Sequence, residues 1–268
     1  MRWMGNCFIC VWDGNSVDAL LSVRNLGKHF DGHVVLESID LDLGAGRVHQ
    51  LIGPNGSGKT TLVNVIAGAL KPSSGTVHFD GHDITGKEPH EVYRYGLARS
   101  FQIPQPFINL NVNENLITSN TDNRGDRYRN APLRYRWVAD ERRLQKMADE
   151  ILEMVNLTRV VDNLSSNLSG GQMKLLELGR IMMTGAKMIF MDEPIAGVNP
   201  TLAHEIFKKI NEICAQHGIT FLVIEHRLDI AFQYVDRVYA TDQGRIIAEG
   251  TPEEILENSD VIESYLGT

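Results

Sequence analysis

Gly53-Pro54-Asn55-Gly56-Ser57-Gly58-Lys59-Thr60 is the stretch that decides the fold. The residues before it, 48–52, form a short apolar run of strand length. The residues after it, 59–69, carry Leu62, Val65 and Ile66 on one helical face. G-x-x-x-x-G-K-[ST] between a strand and a helix is the pattern of a phosphate-binding P-loop. Glycines at 53, 56 and 58 tolerate positive φ and leave room for phosphate oxygens, so backbone N–H groups can turn inward. The helix N-terminus adds partial positive charge. Lys59 is expected to reach the β- and γ-phosphates, and Thr60 to offer its hydroxyl to Mg²⁺. Gly53, Pro54, Asn55, Gly56, Ser57, Gly58, Lys59, Thr60 and Thr61 are the expected nucleotide contacts. A dinucleotide-binding loop, G-x-G-x-x-G, does not fit this spacing.

Outward from the loop, short strand-like runs alternate with helical patterns. Residues 21–28, 34–43 and 75–79 read as strands, and 89–95 as a short helix. Later come helices over 172–184, 202–216 and 228–235, apolar strands at 188–191 and 220–224, and two short strands around Gly244. This alternation predicts an α/β fold with a mainly parallel sheet covered on both faces. Between about 103 and 167 the strand pattern fades. Leu144, Met147, Ile151, Leu152 and Val155 instead mark an amphipathic helix. We read 103–167 as a helical subdomain inserted into one domain spanning 20–268.

Composition narrows the function. The 268 residues carry 26 Lys and Arg against 34 Asp and Glu, a net charge of −8. That argues against a chain that coats nucleic acid by bulk charge. Three cysteines build no disulfide framework, which suggests an intracellular chain. No apolar run approaches the roughly 18 residues of a membrane helix. Residues 1–19 fit the rest poorly and are expected to be a poorly ordered extension. Their Cys7 and Cys10 form a C-x-x-C, but a structural zinc site needs two more ligands and only Cys214 remains among the cysteines. Residues 124–137 interleave arginines with Tyr128, Tyr135 and Trp137. Such a stretch is usually a solvated loop, although the same composition suits anionic lipid or nucleic acid.

Two further segments carry chemistry. Met188-Ile189-Phe190-Met191-Asp192-Glu193 is an apolar strand ending in two carboxylates. At the C-terminal end of a buried parallel strand, Asp192 can meet the Mg²⁺ held by Thr60, and Glu193 can polarise the attacking water. Asn167-Leu168-Ser169-Gly170-Gly171-Gln172 opens a helix with a hydroxyl and glycine N–H groups. Alone it reads as a serine cap before a helix; beside a P-loop it reads as a second phosphate surface.

Here the resemblance becomes specific. L-S-G-G-Q, 23 residues before Asp192, resembles the signature of ABC ATPases. Arg99-Ser100-Phe101-Gln102 resembles their Q-loop, which would place Gln102 near Mg²⁺ and the water. Ile224-Glu225-His226-Arg227 resembles the switch segment, which would place His226 on the γ-phosphate. Ala196-Gly197-Val198-Asn199-Pro200 resembles the D-loop that crosses a dimer interface. Phe30 resembles the aromatic that stacks on adenine. The resemblance covers roughly 20–267 and implies ATP and Mg²⁺ as cofactors. It implies an antiparallel β subdomain beside the parallel sheet. It also implies a second ATPase subunit, identical or homologous, meeting this one head to tail. Each ATP would then lie between one P-loop and the Ser169, Gly170, Gly171 and Gln172 segment of the other copy.

Within the family, G-L-A-R-S-F-Q, D-E-P-I-A-G-V-N-P, E-H-R-L-D and A-E-G-T-P-E-E-I look closest to the importer type for branched-chain amino acids. That type implies transmembrane permease subunits, an indirect solute-binding protein and a peripheral place on the cytoplasmic membrane face. Urea-type importers share these segments, and lipopolysaccharide-export ATPases share them to a lesser degree. A soluble ABC ATPase acting on nucleic acid or the ribosome is the alternative from another class. Only 110 residues separate Lys59 from Ser169, and the chain has room for a single cassette, which disfavours that alternative.

Overall fold

The computed structural model describes residues 19–100, 105–120, 123–126 and 128–266. The Cys7–Cys10 pair, Phe101 and Gln102 lie outside the described residues. In chain order the strands are β1 (Leu21–Phe30), β2 (His33–Leu43), β3 (Val48–Ile52), β4 (Ser74–Phe79), β5 (His82–Asp83), β6 (Leu97–Arg99), β7 (Met188–Asp192), β8 (Thr220–Ile224), β9 (Arg237–Asp242) and β10 (Arg245–Gly250). The helices are α1 (Lys59–Ile66), α2 (Pro89–Tyr95), α3 (Val112–Ile117), α4 (Val138–Met154), α5 (Gly170–Met183), α6 (Pro200–His217), α7 (Leu228–Ala231), α8 (Pro252–Leu256) and α9 (Ser259–Leu266).

Two sheets form. The larger has the order β10-β9-β3-β8-β7-β6, parallel throughout except for the β9–β10 hairpin at its edge. The smaller, β2-β1-β4-β5, is antiparallel. Its first hairpin turns at Asp31-Gly32, both with positive φ, the backbone that a two-residue turn between right-twisted strands requires. The α/β reading with a mainly parallel sheet and an antiparallel β part is what the structure has.

Strand alternation sends side chains to two cores. On β8, Phe221 and Val223 face α5 and α6, where Leu176, Ile206, Phe207 and Ile210 are buried. Leu222 and Ile224 face the other way, against Leu62 and Ile66 of α1 and Leu21, Leu36 and Leu43 of the antiparallel sheet. β7 divides likewise, with Ile189 and Met191 on one side and Met188 and Phe190 on the other. The helical part is built from α3 and α4 packed on α5. Of the stripe read from the sequence, Leu144, Ile151 and Leu152 are buried in α4 and Val155 just after it, Met147 is half-buried, and Ala148 joins the buried face. Gly179 lets the three helices approach, since a Cβ there would lie 3.0 Å from Leu116 and 3.1 Å from Ile151.

The basic-aromatic stretch forms short 3-10 turns at Arg124–Asp126 and Arg134–Arg136. Arg124 makes a forked ion pair with Asp140 in the first turn of α4, and Tyr128 and Tyr135 stand exposed. Cys214 is buried in α6, and burial pushes its thiol up to about 11.

Val48, Leu51 and Ile52 of β3 are apolar, but His49 and Gln50 are buried with them. His49 Nε2 carries the proton and donates to the Gly44 carbonyl at 2.9 Å. Its Nδ1 has no partner among the described residues. A second ring proton would therefore be buried with nothing to accept it, and burial drives the pKa down from 6.5 to about 4. The folded chain thus declines a proton that the unfolded chain takes up below about 6.5. Stability from this source is complete above that pH and falls as the pH drops toward 4. The expected loss is about 3 kcal/mol across the window, and His49→Gln, which titrates nothing, should show a correspondingly shallower fall in urea midpoint between pH 7 and pH 4.

Candidate active site

Three parallel strands end at one edge. In register, Leu51 of β3 lies opposite Ile224 of β8, and Ile224 lies opposite Asp192 of β7. The segments that leave these strands are 53–60, 193–199 and 225–227. Crevices beyond the carboxyl ends of parallel strands are where open α/β sheets bind ligands.

The P-loop is tightly fixed. Gly53 has φ +151, and a Cβ on it would sit 2.2 Å from the Thr241 carbonyl, so only glycine fits. Lys59 is buried beneath the loop, with Nζ donating to the carbonyls of Gly53 at 2.8 Å and Pro54 at 2.9 Å. Burial lowers its pKa, opposed by the charges of Asp192 and Glu193. Ser57 Oγ meets Thr241 Oγ1 at 2.9 Å. The β9–β10 turn closes the far side: Gly244 N–H donates to the Ser57 carbonyl at 3.1 Å, and its own carbonyl accepts from Glu37 N–H at 2.8 Å. Gly244 must be glycine here, because a Cβ would lie 2.4 Å from the Val35 carbonyl. Asn55, Gly56 and Thr60 are exposed, and Thr61 is half-buried in the first turn of α1.

At the end of β7, Asp192 is buried and accepts from Arg99 at 3.2 Å. Arg99 also donates to Asn64 on α1, so one guanidinium joins the P-loop helix to the acidic strand end. Glu193 is one of few non-glycine residues with positive φ, +51, a strained backbone of the kind that gathers at functional sites. Its carboxylate lies 3.5 Å from His226 Nε2.

Two charged residues that sequence reasoning passed over hold this group together. The buried Glu225 accepts at Oε1 from Ile195 N–H at 3.0 Å, and at Oε2 from His226 N–H at 2.9 Å and Arg227 N–H at 3.4 Å. One carboxylate thereby staples the segment after Glu193 to the segment that carries His226. Lys174 on α5 donates to the carbonyls of Glu193, Pro194 and Ala196 at 3.2, 2.8 and 2.8 Å. Its position just after Gln172 was the only signal available in sequence.

Other candidates stand elsewhere. Ser169 and Gln172 bind one another in a capping box: Gln172 N–H donates to Ser169 Oγ at 3.3 Å, and Ser169 N–H to Gln172 Oε1 at 2.9 Å. Gly170 and Gly171 form the first turn of α5. Phe30 ends β1 on the antiparallel sheet, partly exposed, with Lys28 Nζ 4.7 Å above its ring. The Mg²⁺ candidates are spare. Among the described residues no group of three or more His, Cys, Asp or Glu forms a metal cage. A Thr60 hydroxyl with one carboxylate, Asp192, suits Mg²⁺, which takes few protein ligands and fills its shell with water and phosphate oxygens.

Comparison with known proteins gives the family. A family model described as ABC transporter matches residues 36–196, and one described as branched-chain amino acid ATP-binding cassette transporter matches 245–268. The probable branched-chain amino acid transport ATP-binding protein LivG of Methanocaldococcus jannaschii is 46% identical over 252 residues, 92% of this chain and 97% of that one. The high-affinity branched-chain amino acid transport ATP-binding protein LivG of Escherichia coli K12 is 34% identical over 92% of this chain and 98% of its own length. A crystal structure of the ADP conformation of an ABC-transporter ATP-binding cassette superposes with a TM-score of 0.81 at 44% identity, covering 94% of this chain and all of that one. No helix among the described residues is long and apolar enough to cross a membrane. The chain therefore belongs to the ABC transporter family, as one of its ATP-hydrolysing cassettes.

Proposed function

We propose that this cassette hydrolyses ATP to drive uptake of branched-chain amino acids through transmembrane permease subunits, with a solute-binding protein delivering the cargo. The observation that carries the catalytic part is the meeting of the P-loop, Asp192, Glu193 and His226 at one sheet edge. The cargo rests on the names of the relatives and on the second family model at 245–268. The chain would work on the cytoplasmic membrane face, paired head to tail with a second cassette.

In this reading, Lys59 exchanges the carbonyls of Gly53 and Pro54 for the β- and γ-phosphates. That trade keeps its ammonium paired and neutralises phosphate charge. Thr60 and Asp192 would hold Mg²⁺, with Gln102 as a further oxygen ligand; when bound, the ion supplies charge neutralisation across the phosphates. Glu193 takes up a proton from the attacking water, and the neighbouring His226 donates to γ-phosphate oxygens. Phe30 offers a ring face to adenine. Ser169, Gly170, Gly171 and Gln172 cover the nucleotide of the opposite cassette, and Ser169 then gives up its capping bond for a phosphate oxygen.

Glu193→Gln should bind ATP yet lose roughly 10²- to 10⁴-fold in hydrolysis, the usual worth of a general base, and should elute as a closed dimer on sizing chromatography with Mg-ATP. Wild-type turnover would remove Glu193 from the role. Glu225→Gln puts an amide N–H against one of the backbone N–H groups that the carboxylate now serves. Its kcat should fall about tenfold while ADP affinity stays within about twofold, since the loss of a charged hydrogen bond costs roughly 1.5–3 kcal/mol. In proteoliposomes holding the permease, the cassette and the binding protein, leucine should raise ATP turnover; stimulation by urea with none by leucine would reassign the cargo.

A further inference from the structure

The peptide unit joining Ile52 to Gly53 is where β3 becomes the P-loop, and both of its polar ends are held from outside the loop. Thr241 Oγ1 on β9 donates to the Ile52 carbonyl at 2.9 Å. On the opposite side, Gly53 N–H donates to the hydroxyl of Tyr265 on α9 at 2.8 Å. Two hydrogen bonds on one peptide plane fix the ψ of residue 52 and the φ of residue 53 together. The restraint matters because Gly53, at φ +151, lacks the side chain that would otherwise limit its rotation. The same glycine's carbonyl receives Lys59 Nζ, so its orientation also sets where the lysine rests. The Tyr265 ring is half-buried against the core, and burial raises its pKa, so the hydroxyl stays neutral and available to Gly53.

We propose that Tyr265 is a positioning residue for the nucleotide site: α9 holds the first peptide of the P-loop, so the C-terminal helix sets ATP and ADP affinity although it touches no phosphate. The inference rests on the P-loop being the nucleotide site. A loop already oriented loses less freedom when it closes on phosphate, and the gain appears as binding rather than as chemistry. By reciprocity, bound nucleotide steadies the helix that steadies the loop.

Tyr265→Phe keeps the ring and removes only the hydroxyl. Titration calorimetry with ADP should show affinity weakened about two- to tenfold, the range one neutral hydrogen bond supports. KM for ATP should rise by a similar factor while kcat changes less than about twofold and Tm stays near wild type. An unchanged ADP affinity beside a wild type that binds ADP would overturn this inference alone. A fall in kcat with KM unmoved would overturn it as well, by placing the effect in the chemistry. Failure of the wild-type chain to bind ADP would overturn the nucleotide reading on which it rests.

Discussion

Parallel pairing of β3, β8 and β7 is the constraint on which the rest depends. Their register brings Leu51, Ile224 and Asp192 to one level, so three loops far apart in sequence start side by side. A slip of two residues would carry Asp192 about 6.6 Å along the strand axis and out of reach of the P-loop helix. The hydrophobic pattern does little to prevent that, because β7 and β8 are buried on both faces and an apolar run fits either way up. The strand ends do the specifying. Between β3 and β8, Gly46 N–H donates to Thr220 Oγ1; between β7 and β8, Glu193 N–H donates to the Ile224 carbonyl. A slip of either strand pair breaks these bonds, and an unmade buried hydrogen bond is expensive.

Around that edge, the side chains with chemistry to offer are engaged with one another. Lys59 rests on its own loop, Asp192 on Arg99, and Glu193 beside His226. A buried ammonium or carboxylate without a partner would cost several kcal/mol, so a site of this charge density needs internal partners of its own. Each partner is also replaceable by an oxygen or nitrogen of comparable strength. In the proposed reading, ligand binding is then an exchange of hydrogen bonds rather than the filling of an unsatisfied hole.

Much of this was legible in sequence because local rules decide it. The P-loop, the apolar strand before Asp192, the stripe on α4 and the serine cap of α5 each follow from spacing along a few residues. The capping reading of Ser169 and its reading as a phosphate surface draw on the same N-terminal helix chemistry, which is why sequence could not separate them. Glu225, Lys174, Arg99 and Tyr265 were not legible as holding residues. Each holds a backbone group or side chain 19 to 212 residues away, and nothing in local composition announces such a bond. β6 and the two-residue β5 also escaped, since strands this short carry no usable alternation.

The long-range bonds have a consequence for how the site comes into being. A P-loop is glycine-rich so that its backbone can wrap phosphate, and the same glycines leave it with little local restraint beyond the Lys59 bonds to Gly53 and Pro54. Here the shape is supplied by the last quarter of the chain. Asp236 accepts from Val48, Thr241 holds Ile52 and Ser57, Gly244 meets Ser57, and Tyr265 takes Gly53 N–H. None of these partners exists beside the loop until the chain beyond β8 has been made and folded back. Contacts of such sequence separation form late, because closing the intervening loops costs entropy before they repay it. The P-loop's conformation is thus completed by residues 236–265, and it becomes a property of the whole cassette rather than of the eight residues that announce it.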